Sequence, residues 1–532
     1  MVANTELKGR SIPVEPTKTH YDIVVVGSGA GGGTLARSLA STGKSILILE
    51  RGDWLRREPQ NWDPAEVFQK NRYVSDDIWT DHNDKGFQPG THYFVGGASK
   101  MYGAAHFRLR ERDFESIQHI DGESPEWPIK YDVFEPYYKK AEEWYHVHGC
   151  RGEDPTEPFA SSAYPYPPIS HEPRMQKMVD DLKAAGLHPF HMPAGVALNE
   201  SDPAFSDCLR CNRCDGFPCL VHAKGDAEVM GVRPALHHDN VFLLTRSEVT
   251  KLNTDPSGQR ITNVVVQRDG EILKFSGDIV VVSAGAANSA RLLLMSANDR
   301  HPHGLANGSD QVGRNYMFHN CKALVAFSHE PNTTIFQKTV ALNDWYFGDE
   351  DFDYPMGNIQ MTGKTNGAMM KGYAPLLTAI APTWSLDQMA EHTIDFWLQT
   401  EDIPLSSNRI TVNQSGQIKL AYRATNNQAS DQLANRLKSI LDKLYLKDHL
   451  IERQIYYSKS LDIPAVGHQS GTCRFGVNPE NSVLDINCKT HELDNLYVVD
   501  TSFMPSISGL NPSLTAVANA IRVGDHLKAR LA

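Results

Sequence analysis

A short apolar run that ends directly in glycines sets the strongest limit on how this chain can fold. Residues 21–26 (YDIVVV) read as a buried parallel strand, residues 32–39 as a helix, and residues 45–50 (SILILE) as a second buried strand. Together they form a complete β-α-β unit. Similar apolar strands recur at residues 278–282 and 496–499. We therefore predict a nucleotide-binding domain that is assembled from distant pieces of the chain.

The turn after the first strand fits the pattern G-x-G-x-x-G, with Gly27, Gly29 and Gly32 in register. Gly27 permits the tight turn, Gly29 lets the backbone approach a pyrophosphate, and Gly32 lets helix and strand pack closely, while the helix N-terminus faces the phosphates. Glu50 ends the second strand, where a carboxylate can accept hydrogen bonds from ribose hydroxyls; the alternative is a solvated charge. The fingerprint alone does not choose between FAD and NAD.

Size and charge narrow the class of protein. A chain of 532 residues exceeds one compact core and suggests two intertwined domains. The formal net charge is -12 and no cluster of Lys and Arg is apparent, so a nucleic-acid partner is not expected. The first 22 residues are polar and no run of about 18 apolar residues occurs. We expect no membrane insertion and a cytoplasmic protein.

The later part of the chain has a different pattern. Within residues 325–463, the segments RITV and IKLAY flank a turn at residues 413–416, which predicts a β-hairpin. Residues 249–275 read as antiparallel strands, and residues 174–185 have the pattern of an amphipathic helix. The predicted fold class is therefore α/β, with a Rossmann-like domain and a substrate-side domain built on an antiparallel sheet.

Five motifs follow one another in an order that resembles the glucose-methanol-choline (GMC) family of FAD-dependent oxidoreductases, from about residue 21 to the C-terminus. The turn just described precedes all of them. They are VGGASKMYGAAHFRLRERDF (95–114), SAGAANSARLLL (283–294), VGRNYMFH (312–319), HQSGTCRFG (468–476) and VVDTSFMPSISGLNPSLTAVANAI (498–521). The resemblance implies FAD rather than NAD.

The same resemblance implies a division of the chain and a set of cofactor contacts. The FAD-binding domain would comprise residues 1–135, 221–324 and 464–532, with a cap region at 136–220 and a substrate-binding domain at 325–463. The implied contacts, besides the glycine turn and Glu50, are Gly97, Val249, Asp500, Asn511 and Pro512. Met101 aligns with the histidine that tethers FAD in pyranose oxidases, and a thioether offers no equivalent linkage, so non-covalent FAD is expected.

His468 and Asn511 are the candidate catalytic residues. Hydride abstraction from a carbinol carbon needs a base for the hydroxyl proton, and an imidazole can accept it. His468 resembles the family's active-site histidine. Asn511 matches the second active-site position, where an amide can donate a hydrogen bond to the substrate oxygen; alternatively, Asn511 caps the last helix and Pro512 begins it. His319 matches another family histidine, for which a structural role is favoured.

Four cysteines lie close together in the sequence as C-x2-C-x2-C-x4-C. Cys208, Cys211, Cys214 and Cys219 resemble part of a ferredoxin run, and certain glucose dehydrogenases of the family carry an iron-sulfur cluster on a cysteine-rich loop. Three interpretations remain open here: an iron-sulfur cluster, a structural zinc, or reduced or disulfide-paired cysteines that hold a loop. A cluster would favour a dehydrogenase that passes electrons to a protein or quinone.

The predicted activity is FAD-dependent oxidation of a CH-OH group. Asn rather than His at position 511, within a Gly-Leu-Asn-Pro-Ser-Leu-Thr run similar to that of pyranose oxidases, favours a sugar or glycoside substrate. Small, aromatic, choline-like and sterol alcohols are the alternatives, and oxygen or another electron acceptor completes the reaction. A non-enzymatic flavoprotein is the competing class, which an intact His468 and Asn511 pair argues against. The sequence gives no oligomeric state.

Overall fold

The computed structural model describes residues 18–328, 330–373, 380–445, 456–460 and 467–532, together with residues 16 and 378. Short helices and strands alternate through most of these residues. In chain order the strands are β1 (His20–Val26), β2 (Ile46–Leu49), β3 (Trp79–Thr80), β4 (Gly86–Phe87), β5 (Ile117–His119), β6 (Gly122–Ser124), β7 (Val147–His148), β8 (Phe190–His191), β9 (Ala194–Gly195), β10 (Val241–Leu244), β11 (Glu248–Thr254), β12 (Ile261–Arg268), β13 (Glu271–Val282), β14 (Asn320–Phe327), β15 (Val340–Leu342), β16 (Asn358–Met361), β17 (Thr393–Thr400), β18 (Arg409–Val412), β19 (Ile418–Ala421), β20 (Tyr456–Ser460) and β21 (Leu496–Val498). The α-helices are α1 (Ala30–Ala40), α2 (Tyr131–Trp144), α3 (Pro173–Ala184), α4 (Arg233–Leu236), α5 (Ala286–Met295), α6 (Gly367–Tyr373), α7 (Thr383–Ala390), α8 (Asn427–Tyr445) and α9 (Ser513–Leu531).

A parallel sheet with the order β10-β2-β1-β13-β21 forms the first layer. The first half of β13 turns away and pairs antiparallel with β12, which pairs in turn with β11. The central strands are buried on both faces, as the continuous apolar runs predict; each Val or Ile side chain removed from water contributes roughly 1.5–3 kcal/mol. The predicted strands, the helix between β1 and β2 and the assembly from distant segments are confirmed.

The last helix completes the parallel layer. Helix α9 packs against α1 and α2. Gly524 of α9 makes the close approach possible, because a Cβ atom there would lie 2.4 Å from Oγ of Ser38 on α1. The C-terminal segment is therefore held in the same layer as the first β-α-β unit, although nearly 500 residues separate them in the sequence.

An antiparallel sheet with the order β20-β14-β17-β16-β15-β8 forms the second layer. Helices α3 and α8 cover one of its faces, where apolar side chains of β16 and β17 meet apolar side chains of both helices. A smaller sheet, β18-β19-β3-β4, contains the predicted hairpin as β18 and β19. The α/β class with an antiparallel substrate-side sheet is confirmed. The division into five segments stays a prediction.

The described helices include none that is both long enough and apolar enough to cross a membrane.

Candidate active site

The carboxyl ends of the parallel strands meet at one edge of the sheet, and the glycine turn lies there. Gly27 has φ +98°, and a Cβ atom on it would lie 2.3 Å from the carbonyl oxygen of Ser283, which follows β13. A Cβ atom on Gly32 would lie 2.1 Å from the carbonyl oxygen of Gly27. Both positions therefore require glycine because the backbone passes too close for any side chain.

Gly29 differs from its neighbours, because a Cβ atom on it would meet no protein atom within 4 Å. Gly29 is also the N-cap residue of α1, and no side chain caps this helix end. The second glycine motif passes beside it: Gly97 has φ +58°, and its Cβ position lies 3.2 Å from the Cα atom of Gly29. An uncapped helix N-terminus beside open space is the arrangement that binds phosphate groups.

Glu50 is buried, and protein groups already bind both of its carboxylate oxygens. Oε2 accepts hydrogen bonds from the backbone N–H and the hydroxyl of Ser28, at 3.1 and 2.6 Å, and Oε1 accepts one from the N–H of Gly52 at 2.8 Å. Burial raises the pKa of Glu50. The hydroxyl of Ser28 also accepts a hydrogen bond from the N–H of Gly96 at 3.1 Å. Glu50 thus joins both glycine motifs, and the solvated charge considered for it is excluded.

Asp500 and Val249 lie on two further segments at the same edge. Asp500 accepts hydrogen bonds from Ser502 through Oδ1 and from Gly285 and Ser289, at the start of α5, through Oδ2. Burial raises its pKa. Val249 lies on β11, two residues after Ser247, whose N–H donates to the carbonyl oxygen of Glu50 at 2.8 Å.

Two of the sequence motifs are joined by one antiparallel bridge. Met317 and Ser470 exchange backbone hydrogen bonds of 3.1 and 2.9 Å. In an antiparallel bridge, the residue two positions after Met317 faces the residue two positions before Ser470. These residues are His319 and His468. His319 and His468 therefore meet because of backbone pairing between segments that are about 150 residues apart.

The two imidazole rings are in contact. Nδ1 of His319 lies 3.1 Å from Nδ1 of His468, and the rings are nearly perpendicular at 87°. His319 is fully buried, and its Nε2 lies 3.0 and 3.3 Å from the carbonyl oxygens of Ser508 and Ile507. Exclusion of water by the surrounding protein lowers the pKa of His468 to about 4 and that of His319 well below its ordinary value, with the charge of His468 as a second cause for His319.

Asn511 lies three residues beyond Ser508 and four beyond Ile507, whose carbonyl groups contact His319. Its Oδ1 accepts a hydrogen bond of 2.9 Å from Nε2 of Gln360 on β16, and within the described part of the chain its Nδ2 has no protein partner. Helix α9 begins at Ser513 with Pro512 as its N-cap residue and without a side-chain cap. The alternative in which Asn511 caps the helix is wrong by one position, because Asn511 still belongs to the preceding loop.

The antiparallel sheet turns a polar face away from its helix-covered face. Asn358 and Gln360 alternate with Ile359 and Met361 along β16, and Asn358 is paired with Gln399 on β17. One buried atom of each amide has no hydrogen-bond partner among the described residues, namely Oδ1 of Asn358, Oε1 of Gln360 and Nε2 of Gln399. The loop that carries Asn511 lies against this region, since a Cβ atom on Gly509 would be 2.9 Å from the Cα atom of Gly357.

The four cysteines of the C-x2-C-x2-C-x4-C segment lie in the loop between β9 and α4. Among the described residues, no group of three or more His, Cys, Asp or Glu side chains could hold a metal ion. The thiols of Cys208, Cys211, Cys214 and Cys219 are free. Burial raises the pKa of Cys208 to about 12 and raises those of Cys211 and Cys214.

A buried lysine contacts the backbone of the cysteine segment. Nζ of Lys224 donates to the carbonyl oxygens of Phe217, Tyr102 and Cys214 at 2.7, 2.8 and 3.1 Å. The N–H of Gly216 donates to the carbonyl oxygen of Met101 at 2.8 Å, and the side chain of Met101 is buried in an apolar cluster. The segment therefore covers the second glycine motif through backbone contacts.

Three residues of this region were not found from the sequence. Gly31 was overlooked, although a Cβ atom on it would lie 1.8 Å from the carbonyl oxygen of Val499. Ser28 occupies a variable position of the fingerprint, so the pattern carries no signal for it. Gln360 could have been noticed from the alternation in Asn-Ile-Gln-Met, in which polar residues recur on one face of a strand that is buried throughout.

Comparison with known proteins identifies the architecture. A family model described as GMC oxidoreductase matches residues 21–321, and a second one, for the C-terminal part of the same family, matches residues 404–520. The chain belongs to the GMC oxidoreductase family. It is an oxidoreductase that acts on CH-OH groups, and the sequence-based expectation of this family is confirmed.

The relatives of this GMC chain include oxidases and dehydrogenases. The 6'''-hydroxyparomomycin C oxidase of Streptomyces lividus is 28% identical, over 96% of this chain and 92% of that protein. The fructose dehydrogenase large subunit of Gluconobacter japonicus is 25% identical, over 95% of this chain and 97% of that protein. A formate oxidase of Aspergillus oryzae RIB40, solved in work on FAD modification, has a TM-score of 0.65 and 16% identity, over 97% and 99% of the two chains, and shares the fold.

The residues fit the FAD of a GMC oxidoreductase. Open space over Gly29 and the uncapped start of α1 would take the pyrophosphate. Glu50 follows β2, and its Oε1 has one acceptor site left for a ribose hydroxyl, because each carboxylate oxygen offers about two sites and Oε2 already accepts two hydrogen bonds. FAD is accordingly the cofactor of this protein.

Proposed function

We propose that this protein oxidises a secondary or primary alcohol group of a sugar or glycoside. FAD supplies the hydride acceptor when it is bound. His468 takes the hydroxyl proton, because burial keeps its imidazole neutral and able to accept one. Asn511 holds the substrate oxygen through its free Nδ2, while Gln360 fixes the orientation of the amide through Oδ1.

The observation that carries the sugar assignment is the polar face of β16 and β17. Leaving a buried amide atom without a partner costs about 1–3 kcal/mol, and three such atoms belong to neighbouring residues, Asn358, Gln360 and Gln399. A ligand with several hydroxyl groups supplies both donors and acceptors to this face. An aromatic or sterol alcohol would leave most of these atoms unpaired. The oxidase of an aminoglycoside and the fructose dehydrogenase among the relatives agree with a carbohydrate.

We further propose that FAD is held without a covalent bond and that the cysteine segment is structural. Met101 packs in an apolar cluster with Leu55, Val67 and Phe217, which leaves no nucleophile at the aligned tether position. The contacts of Lys224 with three backbone carbonyls account for the order of the cysteine loop without a metal ion. Iron-sulfur relay from flavin to a protein acceptor is therefore not included in the proposal.

The substrate class is tested by anaerobic reduction of the purified holoenzyme. We expect sugars or glycosides to bleach the visible flavin band, and we expect benzyl alcohol, choline and short alkanols at equal concentration to bleach it at least about tenfold more slowly. Admission of oxygen then tests the acceptor, because rapid return of the band indicates an oxidase. Bleaching by the aromatic alcohol alone would overturn the sugar assignment, and no bleaching by any alcohol would overturn the activity.

The low pKa of His468 predicts an unusual pH profile. A base is active when it is deprotonated, so the limiting rate constant of flavin reduction should stay constant as the pH falls from 8 to about 5 and should decline only as the pH approaches about 4. Burial also lowers the pKa of the neighbouring His319, so this residue adds no positive charge in the same pH range. Anaerobic stopped-flow measurement against pH checks this. A break near pH 6.5 would show that His468 titrates as an ordinary histidine.

A further inference from the structure

We propose that His319 is a positioning residue, which fixes His468 in the tautomer whose Nε2 is unprotonated. The inference deepens the proposed function and rests on it, since it concerns the same proton transfer from the substrate hydroxyl. It assigns to His319 a role in the reaction instead of the purely structural one that the sequence favoured.

The protonation of His319 follows from its partners. Its Nε2 faces two backbone carbonyl oxygens, of Ser508 at 3.0 Å and of Ile507 at 3.3 Å. A carbonyl oxygen only accepts hydrogen bonds, so Nε2 of His319 carries a hydrogen. Full burial keeps the ring neutral, because burial lowers the pKa of His319 well below its ordinary value. Nδ1 of His319 is therefore the atom without a hydrogen, and it can only accept.

The protonation of His468 follows in turn. Its Nδ1 lies 3.1 Å from the accepting Nδ1 of His319, so the hydrogen between them belongs to His468. A neutral imidazole carries one hydrogen, which leaves Nε2 of His468 with a free lone pair. Among the described residues, no protein group binds that atom. The lone pair is thus kept for a proton from the substrate.

The backbone holds both partners in register. The bridge between Met317 and Ser470 fixes the segments that carry the two histidines. On its other side, His319 contacts the carbonyl oxygen of Ser508 through Nε2. Ser508 is a non-glycine residue in the left-handed region, with φ +55°. The loop holds this strained conformation and turns two consecutive carbonyl groups toward one imidazole. The same loop continues to Asn511, so His319 also links the segments of the two candidate catalytic residues.

Loss of this hydrogen bond should affect the rate more than the binding of substrate. Without an acceptor at position 319, His468 is free to place its hydrogen on Nε2, where it blocks proton transfer. Removal of the partner that orients a metal-bound histidine typically costs 10–100-fold, and we expect a loss of the same order for a histidine that acts as a base. We expect His319→Leu to lower the limiting rate constant of flavin reduction by about 10²-fold and to change the apparent substrate dissociation constant less than about threefold.

The chain offers matched variants. His319→Gln restores a side chain with one acceptor and one donor, and it should recover the rate to within about tenfold of the wild-type value. His148→Leu is the control for removal of a buried histidine that contacts two backbone carbonyls, of Pro167 and Val196, on a strand outside the histidine pair. It should leave the limiting rate constant unchanged. A wild-type rate in His319→Leu would overturn the proposal.

Nitrogen NMR of the holoenzyme labelled with 15N-histidine tests the tautomer without catalysis. The resonances of His468 are assigned by their loss in His468→Ala. We expect an NH-type shift for Nδ1 and a non-protonated shift for Nε2 at pH 7 in the wild type, and a mixture or the opposite tautomer in His319→Leu. A protonated Nε2 in the wild type would overturn the inference. If no alcohol reduces the flavin of the wild type, the proposed function fails, whereas this spectrum still decides the tautomer.

Discussion

Replacement of His468 by alanine is expected to lower the limiting rate constant of flavin reduction by about 10²–10⁴-fold, the range typical of a lost general base. This corresponds to roughly 3–5 kcal/mol of transition-state stabilisation at 1.36 kcal/mol for each factor of ten. The flavin content and its visible spectrum should stay close to those of the wild type, because no cofactor contact is assigned to this side chain. Anaerobic stopped-flow reduction with a sugar that bleaches the wild type measures the effect.

The matched control is His82→Ala, since His82 is exposed and its ring contacts the side chain of the adjacent Asn83. It should reduce its flavin at the wild-type rate. Added imidazole should restore part of the rate of His468→Ala, because a small base can enter the space that the ring vacates. Undiminished reduction in His468→Ala would show that another group takes the proton and would remove the basis of the proposed mechanism.

Replacement of Gly31 by alanine is expected to disrupt the fold. The new Cβ atom would lie 1.8 Å from the carbonyl oxygen of Val499 and 2.9 Å from its carbonyl carbon. Both are backbone atoms at the end of β21, so no side-chain rotation can relieve the overlap. Overpacking usually costs 1–3 kcal/mol and occasionally more; here we expect a loss of about 3 kcal/mol or more in the free energy of unfolding, measured by urea denaturation of the holoenzyme and of the flavin-free protein.

The substitution Gly29→Ala, in the same glycine turn, is expected to weaken FAD binding without affecting the folding of the protein. Gly29 has φ -68°, and a Cβ atom on it would meet no protein atom within 4 Å. The flavin-free protein should therefore keep its stability to within about 1 kcal/mol, whereas FAD should be retained at least about tenfold more weakly because the methyl group occupies the space assigned to the pyrophosphate. Equal FAD affinity in Gly29→Ala and wild type would contradict that assignment, and a stable Gly31→Ala would contradict the packing.

Much of the nucleotide layer could be predicted from the sequence because its signals are local. The alternation of apolar strands, glycines and a helix between residues 20 and 50 follows from burial on both sides of a parallel strand and from a backbone that must turn at Gly27. His468 and Asn511 were reached through motif resemblance, not through any spacing between them. The cysteine segment shows the limit of spacing arguments: the regular interval left a metal site and a metal-free loop open, and only the structure shows the contacts of Lys224 that hold the segment.

The sequence by itself determined the first β-α-β unit and the family and indicated the candidate base, because each of the motifs that carry these signals is short and local in the chain. Only the tertiary structure decided which groups meet. The bridge between Met317 and Ser470 brings His319 to His468, the loop at Ser508 turns its carbonyls toward His319, and the polar face of β16 reaches Asn511. These contacts join segments from about 150 to nearly 200 positions apart. Their register is set by backbone hydrogen bonds and packing that no local pattern encodes.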